Sequence, residues 1–332
     1  MAVIEHSSRP RLHQEPAGLP LPVGEGHPVS HVQGHQLRVG RVRALGLDRQ
    51  STGTHARTAL HSSLLDHRTK LAKLTHVSGK KTPRASRTCF VQFGEVIPMS
   101  VQLEHFSGVV DRMVKLSGQR KTAALLRKSI FFISTGSNDM FEYSASSRAD
   151  DDDDEAFLGA LVDAYKHYIM SLYEMGARKF SVISIPPLGC IPSQRLRRLK
   201  QLGTQGCFDP LNDLSLSSYP MLAGMLQQLS DQLPGMAYSL ADAYAMVSFV
   251  FQNPRTEAWN FTDLEAACCG GGPFGAALAC NETAPVCADR DEYLFWDANH
   301  PSQAVSAIAA QTIFAGNQTF VNPVNVRELA ML

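Results

Sequence analysis

All 26 Phe, Tyr and Trp residues of this 332-residue chain lie beyond residue 89, the first being Phe90. A segment without aromatic side chains has little large apolar surface with which to build a core. The same stretch is charged on one side. Residues 1–87 hold 14 of the 31 Lys+Arg and 5 of the 31 Asp+Glu, a formal charge of +9, which leaves −9 for residues 88–332. Nine of the twelve histidines also fall there. Rich in Arg, His, Gly, Pro and Ser and lacking sustained apolar periodicity, the segment cannot offset its ordering entropy by burial. We therefore expect residues 1–91 to be a disordered or non-native basic segment and residues 92–332 to be the folded domain.

Clustered Arg and Lys can contact phosphates in a salt-dependent way. The segment has no interleaved aromatics for base stacking, no zinc spacing among its histidines and no cysteine before Cys89. No nucleic-acid partner is expected, although a basic-tailed binding protein using its α/β domain as scaffold stands as an alternative reading. No run of 18 or more apolar residues suggests a membrane span. The first ten residues lack the basic and apolar regions of a secretory signal. The oligomeric state is left open.

Beyond residue 92 the texture is α/β. The run Ile130-Phe131-Phe132-Ile133, bounded by Thr135-Gly136-Ser137-Asn138, reads as a strand buried on both faces, within Leu125 to Ser134. A helical stripe follows at Phe157, Leu161, Ala164, Tyr165, Tyr168, Ile169, Leu172 and Met175, with Gly176 as its C′ stop. Lys179 to Ile185 gives a second strand ended by Pro186-Pro187, completing a β-α-β unit. Ser215 to Leu233 reads as the next helix, stopped by Pro234-Gly235, and Met236 to Ala241 as a third strand ahead of Asp242. Ligands of such sheets bind outside the carboxyl ends of the strands, where Gly136-Ser137-Asn138-Asp139 falls.

Two short patterns carry chemistry. In Asp297-Ala298-Asn299-His300 a carboxylate stands three residues before an imidazole, close enough to hold one ring nitrogen while the other points outward. In Gly136-Ser137-Asn138-Asp139 a glycine permits a sharp turn, and the Asn138 amide offers a neutral donor suited to an oxyanion. Each pattern also has a bland reading, as a charged surface turn or a self-satisfied loop.

Taken in order, Gly136-Ser137-Asn138-Asp139, Ile185-Pro186-Pro187-Leu188-Gly189-Cys190-Ile191-Pro192, Cys268-Cys269-Gly270-Gly271-Gly272 and Phe295-Trp296-Asp297-Ala298-Asn299-His300-Pro301 resemble the plant GDSL esterase/lipases of the SGNH hydrolase superfamily. Gly94-Glu95-Val96-Ile97-Pro98-Met99-Ser100 resembles that family's approach to the helix before its GxND block. The resemblance covers residues 92–332. It implies a flavodoxin-like parallel sheet with helices on both faces and hydrolysis of lipid or small-molecule carboxylic esters by a Ser-His-Asp mechanism, with no cofactor and no metal. By this resemblance His300 is the general base and then acid, Asp297 its orienting partner and Asn138 an oxyanion donor beside Gly136, while Asp139 buttresses the loop.

The family's nucleophile stands in a Gly-Asp-Ser block on its first strand. No Gly-Asp-Ser occurs in these 332 residues, and no Gly-x-Ser-x-Gly replaces it. The expectation is therefore a domain lacking its first strand, with an open edge beside Ile130–Ser134. It follows that the polypeptide as written is inactive, a pseudoenzyme or truncated gene product, with residues 1–91 arising from another reading frame, a misjoined exon or a truncation.

Six of the seven cysteines, Cys190, Cys207, Cys268, Cys269, Cys280 and Cys287, fall in the family-like part, an even number that suits disulfides of undetermined connectivity better than zinc. The family is typically secreted. Asn260, Asn281 and Asn317 each head an N-x-Thr triplet that fits a glycosylation acceptor. The acidic run Asp150–Glu155 reads as a solvated loop entering a helix, where acids favour the N-terminus.

Overall fold

Phe131 and Phe132 are neighbours that cannot share a face in a strand, and the two layers of the domain are built on that alternation. In a computed structural model that describes residues 2–4, 97–146 and 154–332, the strands are β1 (Ala2–Ile4), β2 (Ile130–Ile133), β3 (Lys179–Ile183), β4 (Ala237–Ala241), β5 (Asp263–Ala267), β6 (Tyr293–Phe295) and β7 (Val321–Pro323). The helices are α1 (Met99–Ser117), α2 (Gln119–Lys128), α3 (Ser137–Ala145), α4 (Asp154–Met175), α5 (Pro192–Leu202), α6 (Asp209–Gln232), α7 (Ala243–Gln252), α8 (Gln303–Ala315) and α9 (Val326–Met331). The chain divides into two units, Met1–Val23 with Ile97–Leu332, and Gly24–Val96. The second unit lies outside the described residues, as does the sequence reading of residues 1–91 apart from β1.

The main sheet runs β1-β2-β3-β4-β7. Its centre is parallel, with Phe131 opposite Phe180 and Phe180 opposite Tyr238, while β1 and β7 flank it antiparallel. Phe131, Ile133, Phe180, Val182, Tyr238 and Leu240 turn to one face, where Leu103 of α1, Tyr165, Ile169 and Leu172 of α4, and Leu222, Leu226 and Leu229 of α6 close over them. Phe132, Ile183 and Ala241 turn to the other, against Ile313 of α8, Val321 and Val326. Helices thus cover both faces, as a parallel sheet requires.

Besides a β3 that ends at Ile183 and not Ile185 and a β4 that begins at Ala237 and not Met236, three features differ from the sequence reading. The edge of β2, expected to be open, is lined by β1, with Ala2 opposite Phe132 and Ile4 opposite Ile130. A bare strand edge offers unpaired N–H and C=O groups, and Ala-Val-Ile is extended-prone chain that can pair with them. Ala2–Ile4 thus forms an edge strand antiparallel to β2. Leu125–Lys128 close α2, and the strand begins only at Ile130. Helix α6 starts at Asp209, six residues before Ser215, because Pro210 falls in the first turn, where proline is tolerated, and Leu211 and Leu214 add buried contacts.

Gly176 behaves as its position suggests. With φ at 118° it donates to Tyr173 O while Ala177 N donates to Leu172 O, a paired closure that satisfies the last carbonyls of α4.

Candidate active site

The loop after β2 turns at Gly136, whose φ of 102° places it in the left-handed region. That backbone favours glycine, and a Cβ there would also lie a tight 3.1 Å from Ile185 Cδ1. The buried Tyr165 hydroxyl donates to Thr135 O at 2.7 Å and pins the same turn; burial pushes its pKa up. Helix α3 then begins at Ser137, with Asn138 and Asp139 exposed in its first turn. Among the described residues no hydrogen bond engages the Asn138 side chain, which leaves its amide available beside the free N–H groups of a helix start.

The Pro186-Pro187-Leu188-Gly189-Cys190 stretch follows β3 and closes on the start of α6. Gly189 N donates to Asn212 Oδ1 at 2.8 Å, Phe208 N donates to Gly189 O at 2.7 Å, and Cys190 is bonded to Cys207. An added Cβ on Gly189 would collide with Phe208 O at 2.1 Å. Pro192 then opens α5, a first-turn position that suits its fixed φ. Arg195, buried three residues after Pro192, donates Nε–H to Cys190 O and Nη1–H to Glu265 Oε1 at 3.1 Å. Burial pulls its pKa down, and Glu265 and Asp263 oppose the shift.

The glycine-rich cysteine loop is held by cross-links. Cys268 pairs with Cys287 and Cys269 with Cys280, so the six cysteines singled out in the sequence form three disulfides. The vicinal pair also holds the last motif by its backbone: Cys268 N donates to Phe295 O at 3.0 Å and Cys269 N to Trp296 O at 2.7 Å. Strands β5 and β6 form a small parallel sheet of their own that leads directly into Asp297.

Asp297 and His300 meet on an irregular turn, where Trp296 N donates to His300 O at 2.9 Å and closes the loop. The Asp297 carboxylate is the hub. Its Oδ1 accepts from the backbone N–H of Asn299 at 2.8 Å and of His300 at 2.9 Å, and both oxygens lie 2.9 Å from His300 Nδ1. An ionised carboxylate only accepts, so the ring proton of neutral His300 sits on Nδ1 and Nε2 carries the lone pair. The His300 side chain is 72% exposed and that of Asp297 24%. The couple can therefore take a proton from a group arriving from solvent.

The elements that carry the two turns share apolar ground. Phe141, three residues beyond Asn138 on α3, packs against the cluster that includes Ile185 and Leu188 and also against the one that includes Ile191, Phe295 and Val305. The contacts that sequence reasoning missed are long-range ones, such as Ser193 Oγ–H donating to Asn299 Oδ1 at 2.7 Å across a separation of 106 residues. No local pattern could have signalled that pair.

This chain belongs to the GDSL-like lipase/acylhydrolase family, whose model matches residues 35–313. That match begins ahead of residue 92, where the sequence resemblance starts. Among its relatives in Arabidopsis thaliana, GDSL esterase/lipase At1g29660 is 34% identical over 249 residues, covering 73% of this chain and 67% of the relative. GDSL esterase/lipase At2g23540 is 31% identical over 239 residues, covering 70% and 60%. GDSL esterase/lipase At4g16230 is 29% identical over 246 residues, covering 72% and 66%. The chain thus spans 60 to 67% of the length of these relatives.

Proposed function

We propose that this chain carries the acid–base and oxyanion parts of a carboxylic ester hydrolase acting on a lipid or small-molecule ester. His300 is the general base and then acid, Asp297 orients its ring and stabilises its cation, and Asn138 is an oxyanion donor at the Gly136 turn. The observation that carries this reading is the pair of 2.9 Å contacts from the Asp297 carboxylate to His300 Nδ1, in a chain whose relatives bear the name esterase/lipase. In such chemistry a hydroxyl oxygen bonds the ester carbon as its proton passes to Nε2, and the Asn138 amide donates to the oxyanion. Collapse expels the alcohol, which takes the proton back from Nε2. Water repeats the sequence and releases the acid.

The serine hydroxyl that this chemistry calls for has no Gly-Asp-Ser block to stand in within the 332 residues. By analogy with serine-protease knockouts, loss of a nucleophile costs roughly 10⁶ in kcat. We therefore expect the polypeptide as written to be inactive. Purified protein incubated with a fluorophosphonate probe should show no labelled serine, and its p-nitrophenyl acetate hydrolysis should match that of His300→Ala. Stoichiometric labelling of one serine, lost together with hydrolysis in His300→Ala, would overturn the inactivity and establish the full triad. Hydrolysis that is robust but indifferent to His300→Ala would sink the assignment of His300.

Three disulfides and exposed Asn260, Asn281 and Asn317 support passage through an oxidising, secretory compartment. Among the described residues no helix is long and apolar enough to cross a membrane.

A further inference from the structure

We propose that Ser193 is a positioning residue for the Asp297–His300 couple, acting through Asn299; the proposal rests on the acid–base reading of that couple. Ser193 is the second residue of α5, where backbone N–H groups have no partner within the helix. Its N–H is given instead to Ala298 O at 2.9 Å, and its hydroxyl to Asn299 Oδ1 at 2.7 Å. One residue thus holds both members of the segment between Asp297 and His300.

The consequence runs through Asp297. Asn299 is tied at two ends, by its side chain to Ser193 and by its own N–H to Asp297 Oδ1, the oxygen that also receives His300 N and faces His300 Nδ1. With 72% of the His300 side chain exposed, little packing fixes the ring, so its orientation follows the carboxylate and the carboxylate follows the turn. Ser193 itself stands on a rigid base. Helix α5 is anchored by buried Arg195 and Leu196, and the stretch before it by the Cys190–Cys207 bond and by Asn212. The Pro186–Ser193 stretch therefore acts as a bracket from the main sheet to the imidazole.

The test uses the full-length chain and reads position, not turnover. Imidazole ¹⁵N shifts of His300 report which ring nitrogen carries the proton, and amide hydrogen exchange reports the Asn299 and His300 N–H bonds to Asp297. In Ser193→Ala the Nε2–H tautomer should rise several-fold, and exchange at those two amides should accelerate by about tenfold, as expected for one lost hydrogen bond. Amides of Lys179–Ile183 should keep their wild-type rates. Ser193→Thr should restore both readouts, and Ser193→Ala should add nothing in an Asn299→Ala background. Unchanged tautomer and exchange in Ser193→Ala, equal acceleration in β3, or additive effects with Asn299→Ala would each overturn the proposal. Ester hydrolysis that is robust but indifferent to His300→Ala bears on the hydrolase reading alone, because these readouts decide the role of Ser193 whatever that assay returns.

Discussion

The turn that carries Asn138 and the turn that carries His300 are held by different physics. Gly136 and Ser137 follow β2, whose Phe131 is fully buried with Phe180 and Val182 of the adjacent β3, so that turn inherits its position from the apolar core. Asp297 and His300 follow a three-residue strand in a two-stranded sheet, and what places them is a set of cross-links and directional bonds: Cys268–Cys287, Cys269–Cys280, the amides on Phe295 O and Trp296 O, and the fan of donors on Asp297. A buried sheet resists changes of redox state and fails only with the whole fold. A cross-linked loop can lose its shape while the sheet stays intact.

The sharpest way to break this contrast is through the core. Phe180 is fully buried, lies 6.0 Å from the Phe131 ring by centroid and sits on the central strand of the parallel trio. Phe180→Ala should cost about 3 to 5 kcal/mol through lost transfer energy and cavity formation. Urea denaturation followed by far-UV circular dichroism should show it, with both turns lost in one transition. The next effect should be confined to one side. Removing the Cys269–Cys280 bond by Cys269→Ser with Cys280→Ser should cost about 2 to 4 kcal/mol. Hydrogen exchange should then speed up at Phe295, Trp296 and His300 while β2, β3 and β4 keep their protection. Uniform acceleration across the main sheet would show that the two regions unfold as one.

How much could be read from the chain follows the same division. The main sheet was legible because its signals are local. Phe131 and Phe132 sit in an uninterrupted apolar run, the stripe from Phe157 to Met175 repeats at the helical period, and Gly176 marks the stop. The contact of Asp297 with His300 was legible because three residues of chain bring them together. What escaped was set by pairing across distance. The partners of Cys268 and Cys269 are 19 and 11 residues away, and the six family-region cysteines alone permit many connectivities. The bracket from Ser193 to Asn299 spans 106 residues. Strand β6 has only three residues, too few to display an alternation, β5 reads Asp-Leu-Glu-Ala-Ala with no apolar run, and α6 began earlier than expected because a first-turn proline looks like a breaker when the buried Leu211 behind it is not yet visible.

The smallest effect separates the two regions by their carboxylates. Asp242 ends β4 on the core side, where it caps α7 by accepting from Ala245 N at 2.9 Å. Burial raises its pKa above the ordinary 3.8, and the bonds from Ala245 and Tyr244 recover only part of the shift. Asp297, by contrast, is surrounded by donors. For Asp242 the sign is that of an acid that binds its proton more tightly when folded: between the unfolded and folded pKa values the native state holds more protons, so stability falls as pH rises through that window. Asp242→Asn keeps an oxygen that can accept from Ala245 N and removes the charge that burial penalises. Urea midpoints measured from below pH 4 up to neutrality should therefore lose this downward contribution in the variant, with stability at neutral pH equal to or above wild type. A variant less stable at neutral pH would mean that the charged cap on the first turn of α7 outweighs the cost of burying it, and that the core side of the site depends on a directional bond as much as the disulfide side does.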